Sequence, residues 1–267
     1  MKKIALTSLL AVFAAAGANA ANVIDGNPLY MPRAGHFYSV TDLYSHSEDS
    51  ETWALGEDFG FGVTDFLAVD LKTTITEYDS FDGAAWNDMT FGLTARVFDR
   101  GAWKADVYGR YAVGGVDVPG LGYVGGVWPD HKPFWDEDDS FYTWTMGLRA
   151  GYTTSLWTIA GHVDFNYTNS ESFNWGDDTS LHMWRAGVDG QLVIDSDWNL
   201  VAGVEYTGYA DDGVKDAGSW KGEFGVNYNI DATKFVGLYI NGTMHHATGD
   251  WELDDGVGYG IKFGIDF

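Results

Sequence analysis

The residues with the most chemistry to offer are charged, and they recur at every second position. Arg96, Lys104, Asp106 and Arg110 open the series. Arg149, His162, Asp164, Arg185 and Asp189 follow, then Glu205, Lys221, Glu223, Lys262 and Asp266, with Asp58, Asp70 and Lys72 completing it. Leaving the histidine aside, the set holds eight basic and eight acidic groups. Guanidinium and ammonium groups facing carboxylates form strong charge-assisted hydrogen bonds. Such a set either interlocks as a structural network or lines a wet path that orients ions and polar solutes. Arg96, Arg110, Arg149 and Arg185 read as a basic ladder against Asp106, Asp164, Asp189, Glu205 and Glu223.

Three other constellations were weighed. Ser180 and His182 lie two apart, so on a strand they share a face and could pair a nucleophile with a base. No orienting third group stands out, and His182 also fits an interfacial aromatic position beside Trp184. Asp136, Glu137, Asp138 and Asp139 offer hard oxygens suited to Ca²⁺ or Mg²⁺. Their spacing fits no metal-loop motif, and a solvated acidic run is the plainer reading. His245-His246 falls where a strand meets an exposed loop and reads as solvated.

These residues are spaced by strands. Period-two alternation predicts twelve, near 35–47, 52–62, 66–78, 88–98, 102–114, 140–152, 156–169, 179–193, 198–209, 218–230, 234–244 and 256–267. Tight polar turns near 63–65, 99–101, 153–155, 195–197 and 231–233 alternate with longer, mostly acidic connections, the longest at 115–139. That loop is expected either to constrict the interior or to stand out as a lid. The apolar phase (Trp53, Leu55, Phe59 and Phe61; Met89, Phe91, Leu93 and Val97) faces outward, and the charged phase inward. Inward glycines at 56, 60, 92, 187, 203, 225, 258 and 260 are expected to leave space. In the first strand the phase of Phe37, Ser39, Thr41 and Leu43 competes with that of His36, Tyr38, Val40 and Asp42.

The address is read at the N-terminus. Lys2 and Lys3, an apolar run from Ile4 to Gly17 and the small-residue site Ala18-Asn19-Ala20 have the form of a secretory signal peptide over 1–20. Residues 21–34 are expected to be a short, disordered periplasmic segment, and 35–267 one domain without a passenger. The absence of Cys excludes a lipid-anchor site and disulfides. No later stretch approaches the roughly 18–20 unbroken apolar residues of a membrane helix. The chain has 35 Gly, 12 Trp, 15 Tyr and 16 Phe but five Pro, with aromatics recurring at strand ends. That pattern suits a barrel with two membrane interfaces better than a soluble sandwich. A formal charge of −24 excludes nucleic acid and anionic phospholipid as partners and suits a surface that collects cations.

The last strand, Gly256 to Phe267, alternates large apolar residues with Gly, Lys and Asp and stops on an aromatic. With Tyr259, Phe263 and Phe267 in phase, it resembles the C-terminal assembly signal of bacterial outer-membrane β-barrel proteins. The resemblance implies an all-β, antiparallel up-and-down transmembrane barrel of about twelve strands in the outer membrane of a Gram-negative bacterium. It also implies a partner in the barrel-assembly machinery, and outer-membrane lipid and lipopolysaccharide around the wall. The resulting expectation is a small porin-like channel, not an enzyme, without a cofactor. It would pass ions or small polar solutes with a mild preference for cations. Asp70, Lys72, Arg96, Asp106, Arg110, Arg149, Asp164, Arg185, Asp189, Glu205, Lys221 and Glu223 are its expected lumen residues. A homo-oligomer is compatible by analogy with larger porins. A closed, charge-plugged structural or adhesive barrel and a phospholipase-like hydrolase are the alternatives.

Overall fold

A computed structural model describes residues 26–45, 53–78, 83–114, 116–118, 122–124, 141–170, 180–211, 217–246 and 256–267. The strands are β1 (Phe37–Ser45), β2 (Trp53–Thr64), β3 (Leu67–Tyr78), β4 (Gly83–Arg100), β5 (Trp103–Gly114), β6 (Val116–Val118), β7 (Gly122–Val124), β8 (Phe141–Thr153), β9 (Trp157–Ser170), β10 (Ser180–Val193), β11 (Trp198–Tyr209), β12 (Gly218–Asn229), β13 (Lys234–His246) and β14 (Gly256–Asp266). All except β6 and β7 close into one ring, in which each strand pairs antiparallel with its neighbours in sequence. Closure runs through β1 and β14, with Phe37 and Phe267 exchanging backbone hydrogen bonds of 2.7 and 2.8 Å. The ring has twelve strands, as the alternation predicts.

The wall is turned inside out relative to a soluble protein. Phe91 and Leu93 are each 50 % exposed, whereas Asp106 is fully buried. One apolar face meets hydrocarbon, and the polar face meets itself across the interior. Ring pairs such as Trp103–Tyr152 (4.9 Å) and Trp198–Tyr228 (4.8 Å) gird the end with the short turns. Tyr111–Trp144 (4.5 Å) and Tyr206–Trp220 (4.9 Å) gird the end with the long loops. Two aromatic girdles mark where headgroups would lie.

The short turns are built by the residues that name them. Asp195 Oδ1 accepts from the backbone N–H groups of Asp197 and Trp198 at 2.9 and 2.8 Å. Asp231 Oδ1 accepts from Thr233 through both its backbone N–H and its hydroxyl, each at 2.8 Å. Gly101 takes φ +61°, a left-handed turn position where a Cβ would be strained.

Four features differ from the sequence reading. First, β4 starts at Gly83 rather than near 88, because it continues to pair with β3 past a register shift at Thr74/Ile75. Second, the inward glycines do not simply leave space. Added Cβ atoms at Gly60, Gly92, Gly187, Gly203 and Gly260 would meet Tyr38, Asp70, His162, Asp189 and Tyr239 respectively. A strand neighbour's long side chain lies flat over each glycine. Third, β1 resolves its competing phases: Phe37 and Leu43 are exposed, while Val40 is buried. The inward phase wins because Tyr38 and Asp42 find partners inside, Asp58 at 3.2 Å and the Tyr239 hydroxyl at 2.9 Å. That choice places Ser39, Thr41 and Glu57 on the outer wall. There Glu57 accepts from both hydroxyls, at 2.6 and 2.7 Å, which satisfies a carboxylate that hydrocarbon would not.

The fourth difference is the segment before β1. Residues 26–34 form an ordered strap across the short-turn mouth. Asn27 shapes it: its side-chain oxygen accepts from Leu29 N–H at 2.9 Å and its carbonyl from Tyr30 N–H at 2.8 Å. At one end, a Cβ on Gly26 would touch Gln191 and Asn199 on β10 and β11. At the other, Ala34 bridges Gly62 on β2, and its N–H donates to Asp65 at 3.2 Å. Those two wall regions lie almost opposite each other in the ring, and Leu29 between them is buried. Hydrogen bonds from the wall and within the strap hold this chain inside the mouth, where a free leader was expected. Residues 1–25, with the expected signal peptide, lie outside the described residues. So do Asp136 to Asp139 and most of the 115–139 loop, apart from the β6–β7 hairpin.

Candidate functional site

Seven of the twelve expected lumen residues gather in two clusters. The first sits at the short-turn end on β4, β5 and β8. Arg96 reaches Asp106 through Nε at 2.8 Å and Nη2 at 3.2 Å. Arg149 reaches the same carboxylate through Nε at 2.8 Å. Cross-strand register brings them together, since Asp106 pairs with Arg96 on one side and Arg149 on the other. Each arginine spends a further N–H on the strap: Arg96 Nη2 on the Leu29 carbonyl at 2.6 Å, and Arg149 Nη2 on that of Tyr30 at 2.9 Å. The Tyr30 hydroxyl donates to Asp266 at 2.9 Å.

The second cluster sits on β9, β10 and β11. Arg185 binds Asp164 through Nε at 2.9 Å and Nη2 at 3.1 Å. Asp164 also accepts from Tyr108 at 3.0 Å and Asn166 at 2.6 Å. His162 bridges Asp189 and Glu205, 2.9 Å from each through opposite ring nitrogens. Glu223 pairs with Lys262 at 3.2 Å, and Lys72 with Asp58 at 2.8 Å.

Arg110 and Lys221 are placed in the lumen without an ion pair among the described residues. Arg110 stacks over the Tyr108 ring at 5.2 Å, and its Nε is buried with no acceptor. Asp70 lies inward too, with one carboxylate oxygen buried and unbonded.

The sequence reading missed the inward tyrosines. Tyr38, Tyr108 and Tyr239 donate to Asp58, Asp164 and Asp42. A neutral hydroxyl can satisfy a carboxylate, so the lumen does not need one cation for every acid. Parity could have found them: Tyr108 shares its phase with Asp106 and Arg110.

A cavity of about 510 Å³ opens between the clusters, reached by Arg110, Arg149, His162, Asp164, Arg185 and Glu205 among others. A second of about 260 Å³ lies against Tyr30, Pro32, Tyr38 and Asp58. Pro28 of the strap and Lys72, Thr94, Arg110 and Arg149 of the wall border both, so the two cavities adjoin beside the strap.

The chain is similar to an outer-membrane channel from Pseudomonas putida F1, at 13 % identity and TM-score 0.57, over 92 % of this chain and 100 % of that one. It is similar to the NanC porin, at 10 % identity and TM-score 0.55, over 86 % and 98 %. The KdgM porin matches at 6 % identity and TM-score 0.51, over 87 % and 99 %. The fold is that of the bacterial outer-membrane β-barrels. At these identities the likeness concerns the fold alone. No family model matches the chain, and neither does any curated protein.

At the loop-end rim, His182 faces outward, as expected, and sits beside the rings of Tyr167 (5.1 Å) and Phe165 (5.9 Å). Its Nδ1 lies 2.8 Å from Asp211, which also accepts the His182 backbone N–H at 2.6 Å. The sequence offered no spacing for this couple, because Asp211 follows β11 and reaches back across the strand end. Ser180, two residues along, makes no hydrogen bond among the described residues. The His182 ring is thereby held in the aromatic girdle. His245 and His246 fall at the end of β13.

Proposed function

We propose that this barrel is a narrow channel for passive diffusion of ions or small polar solutes, and that it is not an enzyme. The observation that carries the reading is the lumen: a cavity of about 510 Å³ lined by charged groups of both signs, with Arg110 in no ion pair among the described residues. A twelve-strand ring is wider than the roughly eight strands whose side chains fill the interior, and narrower than the 16–18 of an open porin. Opposed acidic and basic walls replace part of a solute's hydration while excluding apolar solutes. Transport of this kind needs no covalent step and no cofactor. The strongly acidic chain should draw cations to its mouths at low salt, and the preference should fade as screening rises. The similarity to proteins described as porins and a channel supports the reading at the level of fold.

The second reading is a closed structural barrel. The strap and the ion-paired clusters favour it, since both occupy the interior. Single-channel recording under a KCl gradient separates the two. Discrete steps with a cation-selective reversal potential are expected. A silent bilayer containing correctly inserted protein would overturn the channel reading.

A further inference from the structure

The cluster behind the strap is unbalanced in a way that points to a ligand. Arg96, Arg149 and Lys104 face Asp106 and Asp99, so the described groups carry one surplus positive charge. Lys104 and Asp99 hold each other at 3.4 Å near the surface, and Asp99 stands 3.9 Å from Arg96. That leaves two guanidiniums sharing Asp106 in a water-poor position, with side-chain exposures of 8 % for Arg96 and 0 % for Asp106. Their remaining inward N–H groups, both Nη2, end on neutral carbonyls of the strap. A carbonyl satisfies the geometry of a guanidinium N–H but not its charge. A carboxylate satisfies both and forms the stronger hydrogen bond.

Neither carbonyl is fixed by a sheet. The strap's other contacts with the wall include the Tyr30–Asp266 hydrogen bond, the Tyr30–Tyr38 ring contact at 5.8 Å, the contact at Gly26, and the bridge and the Asp65 hydrogen bond at Ala34. It borders both cavities at Pro28.

We propose that residues 26–34 form a displaceable gate, and that the Arg96–Asp106–Arg149 cluster behind it is a binding site for a solute carboxylate. The carbonyl oxygens of Leu29 and Tyr30 occupy the positions that carboxylate oxygens would take. Binding of the solute and retention of the strap are then mutually exclusive, and a carboxylate-bearing solute opens the path it uses. The inference rests on the channel reading, and the experiment tests the two separately.

The chain has no cysteine, so an engineered pair is the sole disulfide. In Gly26→Cys/Gln191→Cys the new sulfurs sit where a Gly26 Cβ would lie 3.1 Å from Gln191 Cδ, tying the N-terminal end of the strap to β10. Full-length protein from the membrane fraction of an expressing cell is recorded in a planar bilayer in KCl, with glutarate as the probe and its neutral diamide as control. At glutarate ten times its dissociation constant, the open-to-closed ratio should rise about tenfold, as for a ligand that binds the open state alone. The diamide should leave it unchanged. The oxidised double-cysteine variant should not respond, and dithiothreitol should restore the response. An equal response in the oxidised and reduced states overturns the gate. Oxidation-sensitive opening with no preference for glutarate over the diamide overturns the carboxylate site. Deletion of residues 26–33 should give a constitutively open barrel. If that variant, shown to be inserted, is also silent, the channel reading itself falls.

Discussion

The two lumen clusters use the same chemistry and meet different fates. Asp106 and Asp164 both point inward, and both are held by arginine Nε and Nη2 atoms. Asp106 carries two guanidiniums, is wholly buried and is capped by the strap. Asp164 carries one guanidinium, supplements it with Tyr108 and Asn166, and borders the larger cavity. Both carboxylates are buried, with side-chain exposures of 0 and 3 %, so what separates them is the number of guanidiniums each must neutralise. An uncompensated buried charge is expensive, and Asp106 holds two of them in check where Asp164 holds one.

The comparison breaks most sharply at Asp106. Asp106→Asn leaves two buried guanidiniums without a counter-charge, and should destabilise the barrel by about 3–5 kcal/mol. Chemical unfolding from detergent micelles measures this, and a loss below that of Asp164→Asn would refute the contrast. Asp164→Asn should cost less, about 2 kcal/mol, since it strands one guanidinium rather than two and leaves the Tyr108 and Asn166 hydrogen bonds an acceptor. It should instead change ion selectivity, read as a shifted reversal potential.

Arg110→Ala sharpens the comparison from the other side. Arg110 has no ion pair to lose among the described residues, so its removal should cost less than either aspartate substitution, about 1 kcal/mol. Conductance should change, because Arg110 borders both cavities. Unchanged conductance would remove it from the path.

The smallest effect belongs outside the lumen, in the turn at Asp231. The Thr233 backbone N–H, then its hydroxyl, then Lys234 hold its carboxyl from the ordinary 3.8 down to about 2. A depressed carboxylate stabilises the fold above its unfolded value and loses that contribution as pH falls through the folded one. The contribution should therefore be complete above pH 4 and vanish toward pH 2. Asp231→Asn should flatten the melting temperature across that window while leaving neutral-pH conductance alone.

Much of this was legible in the chain. Period-two alternation placed all twelve barrel strands, because a wall between hydrocarbon and a polar interior imposes one parity on every strand. The same parity put Arg96, Asp106, Arg149, Asp164 and Arg185 inside. It was silent where both phases were mixed, as in β1, where pairing of Tyr38 and Asp42 with residues on β2 and β13 settled the face. It also misjudged the glycines, since a missing side chain shows where room exists but not which neighbour fills it.

Local order along the chain is thus set by local rules: alternation for strands, Asx and glycine chemistry for turns, the inward phase for charge. Partnership is not, because it depends on which atoms ring closure brings within 3 Å. Asp106 serves Arg96 on the neighbouring hairpin strand and Arg149 beyond the long connection, Tyr108 reaches Asp164 two strands away, and Asp211 meets His182 across a hairpin, each because sheet register lays them side by side. The strap is the clearest case. Nothing in Gly26 to Ala34 has strand or helix periodicity, yet nine residues lie ordered across the mouth. Two arginines more than sixty residues away in sequence need acceptors there, and only the closed barrel puts them within reach.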